Sequence, residues 1–438
     1  MKHKVLTGSF LACVIALSAG AQDSTSLTAQ QAVEIALQNN LSIQIAQKDL
    51  DIAHINNNWG NSGRWPVVSA GMSNVESLND LEQKLSNGTE INRNGTTQNQ
   101  TNANLTASWR IYGGMRVRAT KARFDELEKI GSINLKQQIA TVTYDVLLTY
   151  YNIVRNKQQM VALGAIIDLS RERFKIAETR FNVGSAAKTD MLQAQTDLNE
   201  QEIALMTIRK QMDQSKATLN NLLKRAPENP LDTRDTTFHV GQVRLGDFVS
   251  KLDSQNYDLL RAQREREVLL QEHRIINANL LPTVSLNSVT SFNRTMASAG
   301  LFLTNQTFGP SLGVAVGIPI YNSNITRTQL RVNEVQQKQQ TLQTELLKEQ
   351  LQRDLFVAFR EYQDALETLD KEKQNVKSAE ENNFIATERF KKLQGNSIEL
   401  RQAQLSLVDA RDKLINAEFR AKVAQTTIQL ITGEVGVY

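Results

Sequence analysis

His54, His239 and His273 are the side chains best suited to acid–base or metal chemistry. They stand alone, with no second ligand at metal-binding spacing. The one cysteine, Cys13, sits in the apolar N-terminal run. No glycine-rich phosphate loop followed by lysine occurs, and no G-x-S-x-G. These patterns point away from an enzyme, a resident metal or a cofactor. The residues whose spacing repeats are charged ones. Arg180-Phe181 is followed by Val183-Gly184-Ser185 and then Asp190; Arg389-Phe390 is followed by Leu393-Gln394-Gly395 and then Glu399. In each copy an acid lies just past a glycine-containing turn, where a helix N-terminus favours an anion.

Those two turns must be held by long helices. Met115–Phe181 and Asn324–Phe390 each run about 65 residues without proline, which makes a helix roughly 100 Å long. Such a helix does not fit a compact globule. Tyr144, Leu147, Tyr151 and Val154 form one apolar seam; Ile139, Val142, Val146 and Ile153 form a second beside it. Two seams require two neighbours. After each turn a return helix steps by threes and fours. The first passes through Met191, Ala194, Leu198, Gln201 and Leu205, and the second through Leu400, Ala403, Leu407, Ala410 and Leu414, in register at an offset of 209.

The offset extends to the whole chain. Asn40, Ala46, Gln47 and Pro66 recur as Asn256, Ala262, Gln263 and Pro282 at an offset of 216, while Ile111-Tyr112 recurs as Ile320-Tyr321 at 209. The seven-residue difference falls between two strands, so the first connection there is the longer, as a surface loop tolerates. The order is helix, strand, loop, strand, long helix, turn, return helix, twice over. Residues 22–225 form the first repeat, with strands at about 65–75 and 104–112 and a helical hairpin over 115–225. Residues 246–438 form the second, with strands at about 282–292 and 311–321 and a hairpin over 324–432. Residues 226–245 link them as a side layer, and Val75–Thr101 reads as an exposed polar loop.

Residues 1–21 read as a signal peptide: Lys2 and Lys4, an apolar run from Val5 to Leu17, and Ala19-Gly20-Ala21 before the cut. Its removal lowers the formal charge from +4 to +2, which is no nucleic-acid footprint. Lipidation at Cys13 is the rival reading of this segment. No run of 18 apolar residues follows, so any membrane crossing must use strands. Ser311–Tyr321 alternates Leu312, Val314, Val316, Ile318 and Ile320 against small and polar residues. That pattern suits either a soluble sheet with a buried face or a barrel whose apolar face meets lipid. Trp65, Trp109, Tyr112 and Tyr321 sit at strand ends, with Trp109 and Tyr112 on opposite faces by simple alternation. They suit either anchoring at a membrane interface or packing between strands and helices.

The duplicated order, together with Leu27–Asn40 (LTAQQAVEIALQNN), Gly60…Pro66-Val67-Val68-Ser69 and Arg180-Phe181…Val183-Gly184-Ser185…Asp190…Ala194-Gln195, resembles the outer-membrane efflux protein family, the TolC-like exit ducts. The resemblance covers essentially the whole chain after the signal. It implies a mainly helical fold with β-structure. A homotrimer would build a twelve-stranded outer-membrane barrel, joined to a helical coiled-coil barrel in the periplasm. It implies outer-membrane lipid around the barrel, a periplasmic adaptor protein and an inner-membrane pump of the RND or ABC type as partners. Val183, Gly184, Ser185, Leu393, Gln394 and Gly395 would dock the adaptor, or cap their helices. Asp190 and Glu399 would form an acidic ring at a closed entrance, with Arg180 and Arg389 holding it shut. Gln193 and Gln402 stand where the family often adds a second acid. A structural coiled-coil protein with soluble hairpins is the alternative.

Overall fold

The computed structural model describes residues 26–241, 245–392 and 394–435. The signal-peptide segment, Cys13 and Leu393 lie outside the described residues. The chain opens with β1 (Ser26–Leu27), α1 (Ala29–Asn39) and α2 (Leu41–Asn56), then β2 (Val67–Lys84) and β3 (Glu90–Gly113). Next come α3 (Arg116–Asn182) and α4 (Lys188–Leu222), then β4 (Asp232–Thr233), α5 (Leu245–Gln255) and α6 (Tyr257–Asn277). A 3-10 turn leads into β5 (Thr283–Ala297) and β6 (Thr304–Gly317), and the chain closes on α7 (Ile325–Lys391) and α8 (Ser397–Ile431).

The duplication reaches individual hydrogen bonds. Asn40 caps the N-terminus of α2 and donates to the Leu222 carbonyl at the end of α4, 2.9 Å away. Asn256 caps α6 in the same way and donates to the Ile431 carbonyl at the end of α8, 2.8 Å away. One amide thus serves a helix start and a helix end, satisfying groups that neither helix can satisfy itself. Backbone strain repeats as well: Met115 (φ 67°) and Asn324 (φ 60°) are both left-handed at the start of the long helices.

α3 and α7 are 67 residues long, and α4 and α8 are 35. The return helices therefore line only half of each long helix. The other half of α3 packs against α2 and α6, while its tip half packs against α4 and α8. This is the two-neighbour arrangement that two seams require. The main core lies at mid-body, where Val146, Leu147, Tyr150, Ile153 and Val154 of α3 meet Ala32, Val33 and Ala36 of α1 and Leu219 of α4. The buried Tyr150 hydroxyl donates to Asp235 at 2.7 Å and lies 2.9 Å from the Leu27 carbonyl, so it fastens both β1 and the β4 segment. β1 and β4 pair in parallel there, placing the linker between the repeats at mid-body.

β2, β3, β5 and β6 form one antiparallel sheet in that order, leaving β2 and β6 as unpaired edges. The strands correct the sequence reading in three ways. Val75–Thr101 is not a loop: β2 and β3 ladder out to Lys84 and Glu90, turning at Leu85–Thr89 with Gly88 at φ 86°. A ladder uses backbone groups only, so a hairpin solvated on both faces carries no apolar alternation to betray it. The last strand runs Thr304–Gly317 and not 311–321, because Pro319 has no N–H to continue the ladder. Finally, β5 continues to Ala297, past the expected end at 292.

Candidate functional site

The register sorts the sheet into two chemically distinct faces. On one lie Val68 and Met72 of β2, Leu105 and Trp109 of β3, Val284, Leu286 and Phe292 of β5, and Phe308, Leu312, Val314 and Val316 of β6. These side chains are exposed or half-exposed in the protomer, Phe308 at 74 % and Met72 at 78 %. A soluble sheet would bury such a face, and among the described residues nothing covers it. From Phe308 to Val316 the strand rises roughly 27 Å. Tilted by about 40° as barrel strands are, it covers roughly 21 Å of height, most of the apolar band of a membrane barrel, about 25 Å tall.

The opposite face carries Ser69, Gly71 and Ser73, then Asn102, Asn104, Thr106 and Ser108, then Asn287, Ser291 and Asn293, then Thr307, Gly309, Ser311 and Gly313. Ser108 donates to Asn287 at 2.8 Å across it. With Val67, Val75, Val289 and Ala315 interspersed, it is small, mostly polar and nearly uncharged, a wall suited to water. Beyond Asn74 the β2–β3 hairpin continues roughly 33 Å further, mostly polar, with Val75, Leu78, Leu81 and Ile91 scattered along it.

Aromatic residues gather at the helical end of the band. Trp109 donates its indole N–H to the Arg64 carbonyl at 2.8 Å. The Arg64 guanidinium lies 4.8 Å from the Trp59 ring and 5.6 Å from the Trp65 ring. Trp59 and Arg64 escaped the sequence reading because they lie in the turn before β2, outside any alternating run. A register shift between Arg110 and Tyr112 puts Tyr112 opposite Val284 while Trp109 faces Leu286. This bulge turns Tyr112 onto the apolar face with Trp109, against the expectation of opposite faces. Tyr321 is 77 % exposed, beyond the end of β6.

At the far end, the two helical hairpins turn differently. α3 closes with Gly184 at φ 75°, and Gly184 and Ser185 donate their backbone N–H groups to Phe181 and Arg180 at 2.9 and 2.8 Å. This is a left-handed helix C-cap. Gly395 is not left-handed, contrary to the capping expectation; a Cβ there would touch Arg389, Glu399 and Phe390 at 3.3–3.4 Å, a close contact rather than a clash. Gln394 donates its backbone N–H to the Arg389 carbonyl at 2.9 Å.

The charged residues flanking the turns are engaged. Arg180 donates to the Phe390 carbonyl at 2.7 Å and lies 4.3 Å from the Phe390 ring, tying the first hairpin to the second. Ser397 donates to Asp190 at 3.3 Å across the same boundary. Arg389 behaves otherwise, pairing with Glu399 at 2.6 Å inside its own hairpin.

About two turns further from the tips lies a cluster that sequence reasoning missed. Asp197 of α4, only 3 % exposed, receives Arg173 of α3, Arg401 of α8 at 2.8 Å and Gln193 at 2.8 Å. Burial works against its ionisation, but the hydrogen bonds from Arg401, Gln193 and Arg173 outweigh this and hold its carboxyl below the usual value. The available signal was a carboxylate inside the apolar stripe Ala194–Leu198–Gln201. Its partners come from two other helices, which no spacing reveals.

Among the described residues, no group of three His, Cys, Asp or Glu side chains could hold a metal. His54 pairs with Glu128 at 2.7 Å on the surface.

A model of the outer membrane efflux protein family matches residues 32–224 and again 248–434, once per repeat. Outer membrane efflux protein BepC of Brucella suis biovar 1 is 21 % identical over 325 residues, covering 74 % of this chain and 70 % of its own. The Campylobacter jejuni CmeC outer membrane channel superposes with a TM-score of 0.76 at 15 % identity, over 99 % of this chain and 94 % of that one. The outer membrane protein VceC of Vibrio cholerae gives 0.76 at 18 % identity, over 92 % and 96 %. The chain belongs to the outer membrane efflux protein family, a family of outer-membrane channels rather than enzymes.

Proposed function

We propose that this chain is the passive exit duct of a tripartite efflux or type I secretion system. Three copies close a twelve-stranded barrel in the outer membrane and continue it as a helical tunnel into the periplasm. The observation that carries this is the two-faced, four-stranded sheet with both edges open: apolar and uncovered on one side, polar on the other. Unpaired strand edges are untenable in lipid, so closure requires further copies. The duct supplies no energy. A periplasmic adaptor grips the hairpin tips, most firmly at Val183, Gly184 and Ser185, and an RND or ABC-type pump drives cargo through.

Opening requires the second hairpin to move from the first. The ties to be broken are Arg180 to Phe390, Ser397 to Asp190 and Arg401 to Asp197. Arg389 and Glu399 travel together because they pair within one hairpin.

Cross-linking tests the closure. The one native cysteine, Cys13, lies in the signal segment, so Ser73→Cys on β2 can be combined in turn with cysteine at Thr307, Gly309 or Ser311 on β6. A disulfide ladder ending at the trimer is expected. A ladder ending at another number, or none at any pairing, would refute the trimeric barrel.

A further inference from the structure

Across the polar face of the sheet, from Thr283 and Gly317 up to Gln98 and Ala297, one charged side chain occurs among the described residues: Arg110. It makes no ion pair or side-chain hydrogen bond there. Its stem lies over Gly113, where a Cβ would come within 2.8 Å of Arg110 Cδ, so Gly113 leaves the groove this side chain occupies. A cleft of about 410 Å³ opens beside it at the foot of the sheet, lined by Arg110, Arg116, Asn279, Thr283 and Gly317. Arg116 is oriented by donating to Asn279 at 2.6 Å.

We infer that Arg110, with Arg116 behind it, forms an anion-binding throat where the helical tunnel enters the barrel, and that it receives carboxylate- or phosphate-bearing solutes in transit. This rests on the duct reading above. Arg110 pairs with Ser285, on the face opposite the apolar residues Trp109 and Leu286, so it meets water and not lipid headgroups. A guanidinium offers a planar fork matched to carboxylate and phosphate. Among the described residues no carboxylate neutralises it. Repetition by closure places several copies around one lumen, where like charges raise the local anion concentration. The rest of the wall carries no charge, being amide, hydroxyl and glycine interspersed with Val67, Val75, Val289, Ala297 and Ala315, so charge selection within the barrel falls to this position.

The test is single-channel recording of the purified full-length protein in neutral-lipid bilayers under a salt gradient, with tripolyphosphate as the probe. Arg110→Gln is expected to lower the anion-to-cation permeability ratio at least about twofold and to weaken tripolyphosphate block. Arg110→Glu should invert the preference, and Arg110→Lys should retain most of it. Wild-type selectivity and block in Arg110→Gln and Arg110→Glu would overturn the throat while leaving the duct intact. An Arg110 effect seen only with anionic lipid would also overturn it, by making the site a headgroup contact. A wild-type protein that forms no channel would remove both readings.

Discussion

Arg401 on α8 donates through Nε to Asp197 on α4 at 2.8 Å, and Arg173 of α3 reaches the same carboxylate oxygen. Three helices from two hairpins converge on one buried oxygen. Asp197→Ala leaves Arg173 buried without its partner, a change that costs about 3–5 kcal/mol. The expected outcome is loss of hydrogen-exchange protection at the tips of α3 and α4 together with raised resting conductance. Arg401→Gln removes the more exposed partner and should have the weaker effect of the two. If neither variant alters conductance, the cluster holds the fold and not the gate.

The same cluster sets a pH dependence. Because the folded state lowers the Asp197 pKa, its contribution is complete above the ordinary carboxylate value of about 3.9 and disappears only as pH falls through the lower folded value. Tip protection attributable to Asp197 should be flat from neutral pH to about 5 and fall only below about 4. This is read as the difference between wild type and Asp197→Asn. A difference that vanishes near neutral pH would contradict the assignment.

Gly184 has φ 75° and open space where a Cβ would stand. Gly184→Ala therefore strains the backbone by roughly 1–2 kcal/mol without a clash. Gly184→Asp adds a charge at the surface proposed to meet the adaptor. Efflux, measured as drug sensitivity of a strain relying on this duct, should be lost in Gly184→Asp while membrane insertion and trimer mobility stay normal. Preserved efflux would remove the first tip from the docking surface.

The three tryptophans of the chain are Trp59, Trp65 and Trp109, gathered around Arg64. Intrinsic fluorescence thus reports one level of the molecule. Lipids brominated near the headgroup should quench it strongly, and lipids brominated near the acyl terminus only weakly. Equal quenching by both would move the cluster away from the interface.

Much of this architecture is legible in the sequence because helices and duplication both write periodic signals. Asn40 and Asn256 stand at equivalent positions, and the structure gives them the same two hydrogen bonds. The apolar face of β6 is likewise visible in Leu312, Val314 and Val316. What escapes is whatever depends on a single local break or on side chains from separate helices. One bulge puts Tyr112 on the face of Trp109. The β2–β3 extension carries no alternation because water covers both its sides. Asp197 draws Arg173 and Arg401 from 24 residues before and 204 residues after it. Gly395 looks like a second Gly184, yet it is not left-handed and lies close against Arg389, Glu399 and Phe390.

The central claim is that copies of this chain close a water-filled duct through the outer membrane. Its most direct test is conductance of the detergent-purified protein in a planar lipid bilayer. Stepwise, uniform single-channel currents from a trimeric species are the predicted result. A protein that stays soluble without detergent and passes no current would contradict it.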